Sequence, residues 1–172
     1  MNLQSDDFEL FELPVAYALD AARLDERWKV LQREVHPDRH AAADAQTQRQ
    51  AMQWSVRINE AYQRLKDPLK RAAYLCELHG APVQAENNTA MPAAFLMQQM
   101  EWREALEEAR SAGQLEDMAD EVAAARRKML ADLQITADER RDFVALAGQV
   151  RALMFVERFA HDVEARLDQL GQ

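Results

Sequence analysis

Apolar residues recur at helical intervals along most of the chain. Leu24, Trp28, Leu31 and Val35 advance by +4, +7 and +11, which is one face of a helix. Asp20 stands where an N-cap is needed. This helix is expected to stop near His36, because a residue before proline is pushed out of the α region, and Pro37 fixes its own φ. A polar, alanine-rich stretch from Arg39 to Gln46 follows. A second amphipathic helix then runs to about Leu65, with Trp54, Ile58, Ala61, Tyr62 and Leu65 on one side, and ends at Lys66-Asp67-Pro68. Upstream, residues 1–5 read as loose. A short helix around Asp7–Phe11 is expected to pack Phe8, Leu10 or Phe11 on the two long helices. Downstream, Lys70 to His79 reads as a short fourth helix burying Ala73, Tyr74 and Leu78, with Gly80 just past its end.

The pattern breaks between Gly80 and Met91, a stretch rich in Gly, Pro and Asn without helical period. Pro92 then suits the first turn of a helix. Three helices are expected beyond it. The first runs from about Ala93 to Ser111 and ends at Gly113. The second runs from about Leu115 to Gln134, with Leu115, Met118, Val122, Ala125, Met129 and Leu133 at +3 and +4 steps. Thr136, with Glu139 three residues on, reads as a capping box opening the third, which continues to about Leu170. Its stripe is Phe143, Leu146, Val150, Leu153, Ala160, Val163, Leu167 and Leu170. Short connections make these helices antiparallel neighbours in a three-helix bundle.

The first of them has two faces. With Phe95 at zero and 100° per residue, Trp102, Leu106 and Ala109 fall within about 40° and form a core stripe. Leu96, Met97, Met100, Glu101, Glu104 and Glu108 fall between roughly 100° and 240°, on the other side. Large apolar residues followed by carboxylates on a non-core face read as a surface for a partner. Phe155 lies about 200° from Leu153, off the stripe of its own helix, and Met154 is off it too. Such a phenylalanine either pads a groove between helices or joins the partner surface.

Composition narrows the class. Glycine and proline are scarce, at 4 and 5 residues, which fits helix nearly throughout. No apolar run approaches 18 residues, so no membrane span is expected. The N-terminus lacks the pattern of a signal or transit peptide. Cys76 is the one cysteine, which leaves no internal disulfide and no cysteine metal cage, and a reducing cytoplasm fits best. The net charge of −9 argues against a general nucleic-acid binder, since phosphates are held by Lys and Arg. The acidity is uneven: residues 1–80 hold 11 Lys and Arg against 13 Asp and Glu, and residues 81–172 hold 10 against 17. Two parts of different charge suggest two partners.

Polar candidates cluster at the first break. Arg27, Lys29 and Arg33 lie off the apolar stripe, and His36-Pro37-Asp38 presents an imidazole and a carboxylate in a constrained loop. His36, Asp38 and nearby His40 would suit acid–base chemistry, but no nucleophile, metal cluster or phosphate-binding glycine loop accompanies them, so an enzyme is not expected.

Two antiparallel helices bridged by His36-Pro37-Asp38 resemble a J domain. The resemblance extends to Phe8-Glu9-Leu10-Phe11-Glu12-Leu13-Pro14, Ile58-Asn59-Glu60-Ala61-Tyr62 and Asp67-Pro68-Leu69-Lys70-Arg71-Ala72-Ala73-Tyr74, over roughly residues 6–79. Glu12 departs from it, standing where glycine is common, so the turn there is expected to differ. Leu78-His79-Gly80 and Phe95-Leu96-Met97-Gln98-Gln99-Met100-Glu101-Trp102-Arg103-Glu104-Ala105-Leu106 resemble segments of the HscB family, co-chaperones of iron–sulfur cluster assembly, and this likeness covers essentially the whole chain. It implies an all-α fold: a J domain (1–80), a linker (81–92) and a C-terminal three-helix, scaffold-binding domain (93–172). It also implies delivery of the cluster scaffold IscU to HscA, a chaperone ATPase of the DnaK class, and stimulation of ATP hydrolysis there. The chaperone would be met by His36, Pro37, Asp38, Arg27, Lys29 and Arg33. The scaffold would be met by Leu96, Met97, Met100, Glu101, Glu104, Glu108 and Phe155. Met100 stands where the family segment carries leucine, a volume-conserving change. Relatives with a CxxC extension bind metal there; this chain has none, so neither metal nor cofactor is expected. A monomer satisfies everything read so far. A J-domain adaptor for a different client is the alternative.

Overall fold

The structure, a computed structural model, describes residues 2–171. The described residues form seven α-helices: α1 (Asp7–Leu10), α2 (Ala21–Val35), α3 (Ala45–Lys66), α4 (Pro68–Leu78), α5 (Ala93–Glu108), α6 (Ala112–Gln134) and α7 (Phe143–Leu170). One 3-10 turn, Pro37–His40, joins α2 to α3, and a π-helical turn, Ile135–Arg140, extends α6. The chain divides into two compact units, Met1–Leu75 and Cys76–Gln172. The division falls inside α4, five residues before the expected boundary at 80.

In the first unit, α2 and α3 pack as an antiparallel pair. Asp20 caps α2 by accepting from the Arg23 N–H, and Asp44 caps α3 by accepting from the Thr47 N–H. Leu24, Leu31, Ile58, Ala61, Tyr62 and Leu65 are buried along the seam, with Phe8, Leu10 and Phe11 of the first turn. Polar clips fix the register. Trp28 stacks on Tyr62 at 4.7 Å, its Nε1 and the Gln32 Nε2 both donate to Asn59 Oδ1, and the Tyr62 hydroxyl donates to Asp25 at 2.6 Å.

A buried carboxylate ties α1 in place. Asp7 is shielded from solvent, with Arg57 Nη1 at 2.8 Å and Arg64 Nε at 2.7 Å, and its own N–H donates to the Tyr74 hydroxyl. Residues 2–5 are not loose. Asn2 and Ser5 close a turn, and Arg57 donates to the carbonyls of Leu3 and Ser5. Residue 1 of that expectation lies outside the described residues. Helix α4 starts two residues earlier than expected, because Pro68 suits a first helical position and Asp67 caps it by accepting from the N–H groups of Leu69 and Lys70. Its buried face is accordingly Leu69, Ala72, Leu75 and Cys76, with Leu78 exposed. Gly80 follows at φ +74°, the left-handed conformation of a helix end.

In the second unit, α7 is the central element. It buries Leu146, Val150, Leu153, Phe155, Val156, Phe159 and Val163, a face too wide for one stripe, because both α6 and α5 pack on it. Three boundaries differ from expectation. Helix α5 ends at Glu108, since Arg166 donates to the carbonyls of Leu106 and Ala109, and Arg110 donates to those of Glu107 and Ala109. Ser111 is the N-cap of α6, in a capping box with Gln114, so Gly113 lies in the first turn of α6 and ends nothing. Thr136 opens no helix: its hydroxyl donates back to the Asp132 carbonyl, and α7 begins after Asp142, which accepts from the Ala145 N–H. The segment read as a linker is folded onto α7. Arg151, buried, donates Nε to the Val83 carbonyl and Nη1 to the Ala90 carbonyl, both at 2.9 Å.

Two outcomes follow. Asp7→Ala leaves two arginines facing an apolar site and destabilises the first unit by about 3 kcal/mol or more, measurable by hydrogen exchange across residues 7–75. Cys76 is buried, its thiol set against the Phe143 carbonyl, and burial pushes its pKa from 9.0 up to about 11. The unfolded thiol therefore ionises first. Stability from the neutral thiol is intact below pH 9 and falls between 9 and about 11. At pH 8 a thiol reagent should modify the native protein only as fast as it opens; immediate stoichiometric reaction would contradict this burial.

Candidate functional site

The loop after α2 is built by capping. His36 leaves the helix at ψ 131°, as a residue before proline must, and its Nδ1 accepts from the Asp38 N–H at 3.2 Å. The Arg39 N–H donates to the His36 carbonyl and closes the turn. The last carbonyls of α2 are also satisfied: Arg39 Nη1 donates to the Arg33 carbonyl and His40 Nε2 to that of Glu34. His36, Arg39 and His40 thus have structural work at the helix end. The Asp38 carboxylate is left 94% exposed, with the His36 ring 3.7 Å away. The side chain of Pro37 lies outside the described part of the structure. Just beyond the loop, the carboxyl of Asp44 is held below its ordinary range by the Thr47 N–H that it caps.

The three cations of α2 do not act alike. Lys29 and Arg33 are exposed and make no ion pair among the described residues. Val30 is exposed beside them, an apolar member of this face that the charge pattern gave no reason to single out. Arg27 is only half-exposed, because its guanidinium is paired with Glu12 of the turn before α2. That pairing was not legible in the sequence, since Glu12 lies 15 residues away across an irregular turn.

The second candidate surface lies on α5. Its inner face sets Phe95 edge-on to Phe155 at 5.8 Å and stacks Trp102 on Phe159 at 5.4 Å; Phe155 and Phe159 stack in turn at 5.9 Å. Trp102 Nε1 donates to Glu121 of α6. The helical period then carries the opposite face outward. Leu96, Met97 and Met100 are 46%, 68% and 72% exposed, and Glu101, Glu104 and Glu108 continue the strip, each open to solvent. These six side chains share one face. Phe155 does not join them: it is 5% exposed, set between Phe95 and Phe159 with the Arg103 guanidinium 5.0 Å over its ring. Of the two readings open for an off-stripe phenylalanine, the structure places it as padding between α5 and α7. Among the described residues no three His, Cys, Asp or Glu side chains gather as metal ligands, and no helix is long and apolar enough to cross a membrane.

Comparison with known proteins gives these surfaces a family. A model of the HSCB C-terminal oligomerisation domain matches residues 91–164. The co-chaperone protein HscB homolog of Burkholderia thailandensis is 51% identical, covering 99% of this chain and 98% of its own. That of Bordetella petrii is 49% identical over 93% and 95%. Among solved structures, chaperone HscB from Vibrio cholerae matches with a TM-score of 0.80 at 38% identity, over 96% of this chain and 99% of its own. Human co-chaperone protein HscB matches with a TM-score of 0.87 at 26% identity, over 96% and 84%. With a helical hairpin closed by His36-Pro37-Asp38, a C-terminal helical domain and near-complete coverage by these relatives, the chain belongs to the HscB family of co-chaperones.

Proposed function

We propose that this co-chaperone binds an iron–sulfur scaffold of the IscU type through α5 and delivers it to a chaperone ATPase of the HscA type, whose ATP hydrolysis it stimulates through the His36-Pro37-Asp38 loop. The observation that carries the reading is the outward strip of α5, where three large apolar side chains and three carboxylates are exposed on one face of a helix whose other face packs Phe95 and Trp102 into the core. Exposed Leu and Met give adaptable apolar area for burial on the scaffold, and the carboxylates set register and steer encounter. On the other unit, Asp38 is presented for a directional pair with a basic group, best an arginine, on the ATPase. Lys29 and Arg33 meet an acidic surface there, with Arg27 at its margin. One chain holding both partners raises the scaffold's effective concentration at the chaperone.

Stimulation is assigned to residues 1–80 and scaffold binding to residues 93–172, with 81–92 folded as part of the second unit. Phe155 serves the scaffold surface from beneath, by holding α5 on α7. The chain itself carries out no catalysis, acts as a monomer, and works in the cytoplasm without nucleic acid or membrane. Its family is one of co-chaperones, which assist an ATPase rather than turn over substrate.

The test is steady-state ATPase of the cognate HscA-type chaperone with and without the scaffold. Asp38→Asn should abolish stimulation at an unchanged melting temperature, since an exposed loop carboxylate adds little to stability. Leu96, Met97 and Met100 changed together to Ala should weaken scaffold binding by at least about tenfold and leave scaffold-independent stimulation intact. If the wild type stimulates but scaffold addition changes nothing, the client is a different protein. If the wild type does not stimulate, the reading fails. Phe155→Ala should behave otherwise than the surface triple: it should destabilise the second unit by about 3 kcal/mol, with scaffold binding falling as α5 loosens.

A further inference from the structure

Glu12 occupies the turn between α1 and α2 at φ +55°, in the left-handed region where residues other than glycine, Asn and Asp are strained. The turn therefore keeps a glycine-like backbone although a glutamate stands there. Two arginines of α2 hold it. Arg27 Nη2 lies 3.2 Å from Glu12 Oε2, and Arg23 Nη2 donates to the Glu12 carbonyl at 3.5 Å. Glycine at this position would keep the carbonyl contact and lose the ion pair. The pair draws Arg27 toward the turn, its side chain 27% exposed against 66% for Glu12. On the helical wheel Arg27 lies about 120° from Arg33, so it reaches the cationic face only by swinging its side chain across the helix. A guanidinium held by an intramolecular carboxylate is not available for that swing.

We propose that Glu12 is a specificity-determining residue: it holds Arg27 out of the cationic face of α2 and so weakens the hold of this J domain on the acidic surface of its ATPase partner. The proposal rests on the reading of α2 and Asp38 as the chaperone-binding element. An acidic partner must displace Glu12 before it can engage Arg27, and a partner side chain that is not negative gains nothing by doing so. The contact therefore favours ATPases whose acidic groups face Lys29 and Arg33, and discriminates against those that depend on the position of Arg27.

The experiment measures the concentration of co-chaperone giving half-maximal stimulation of the cognate HscA-type ATPase at low ionic strength. Glu12→Gln removes the charge and keeps the side chain; Glu12→Gly also removes the backbone strain. Each should lower the half-stimulating concentration about two- to fivefold, the scale of one exposed ion pair. The gain should shrink at high salt and be absent when either change is made in an Arg27→Ala background. Unchanged or weaker stimulation by both Glu12 variants overturns the proposal, as does a gain that persists without Arg27. Asp38→Asn is run alongside: if it stimulates like the wild type, the chaperone-binding reading itself has failed, and the Glu12 proposal with it. Glu12 is exposed, so both variants should fold, and circular dichroism checks this.

Discussion

The outward face of α5 exists because the inward face is held by rings. Phe95, Trp102, Phe155 and Phe159 form a continuous edge-to-face and stacked row between α5 and α7, each contact worth on the order of 1 kcal/mol beyond the apolar area that it buries. Large rings keep the helix axes well apart while fixing the rotation of α5 about its own axis. That rotation decides which residues meet solvent. A turn of one residue, about 100°, would carry Met97 or Leu96 toward the core and bring a core aromatic out. Two hydrogen-bond devices defend it. The Trp102 indole bonds to Glu121, and Arg166 takes up the carbonyls at the end of α5, where the helix would otherwise run on.

The loop of the first unit follows a different design. Its residues spend nearly all their polar capacity on the backbone around them, His36 on the next turn and Arg39 and His40 on the carbonyls of α2. Asp38 is the exception, and its exposure follows from the satisfaction of its neighbours. The turn is thus held by its own hydrogen bonds while the carboxylate stays exposed. Below it, Asp7 couples α1 to α3 through its buried carboxylate and to α4 through its N–H, so the hairpin that carries the loop is braced at its far end.

Much of this was legible in the sequence, and the misses fall into a few physical kinds. Elements set by hydrophobic period and a single cap were read correctly in place: the Asp20 cap, the stop at His36, Gly80, Phe95 and Trp102 of α5, and Leu24, Leu31, Ile58, Ala61, Tyr62 and Leu65 of the seam, while Val35 and Trp54 are only half-buried. The end of α5, set by the distant Arg166, was not read in place, and neither were the starts of α4, α6 and α7, where Asp67, Ser111 and Asp142 took the caps. Nothing local says that Arg166 will end α5 at Glu108, and between two local cap candidates, Thr136 and Asp142, the period alone does not choose. Phe155 shows the limit of a one-stripe wheel: α7 packs on two neighbours, so its buried arc is wider than one amphipathic face. Arg27 shows the complementary limit, because an off-stripe cation reads as solvent-facing until its partner from another turn is known.

Arg151 bears on how the protein can be divided. A stretch that lacks helical period, rich in Gly, Pro and Asn, invites cutting between 80 and 92, with the second part begun at the first turn of α5. Such a fragment would lack the Val83 and Ala90 carbonyls, and a guanidinium that lies buried would lose the acceptors that let it be buried. The compact unit that keeps both acceptors starts at Cys76. Length changes belong at the outer turn around Gln84 to Asn88, between the two anchored carbonyls, where the backbone bonds mainly to itself.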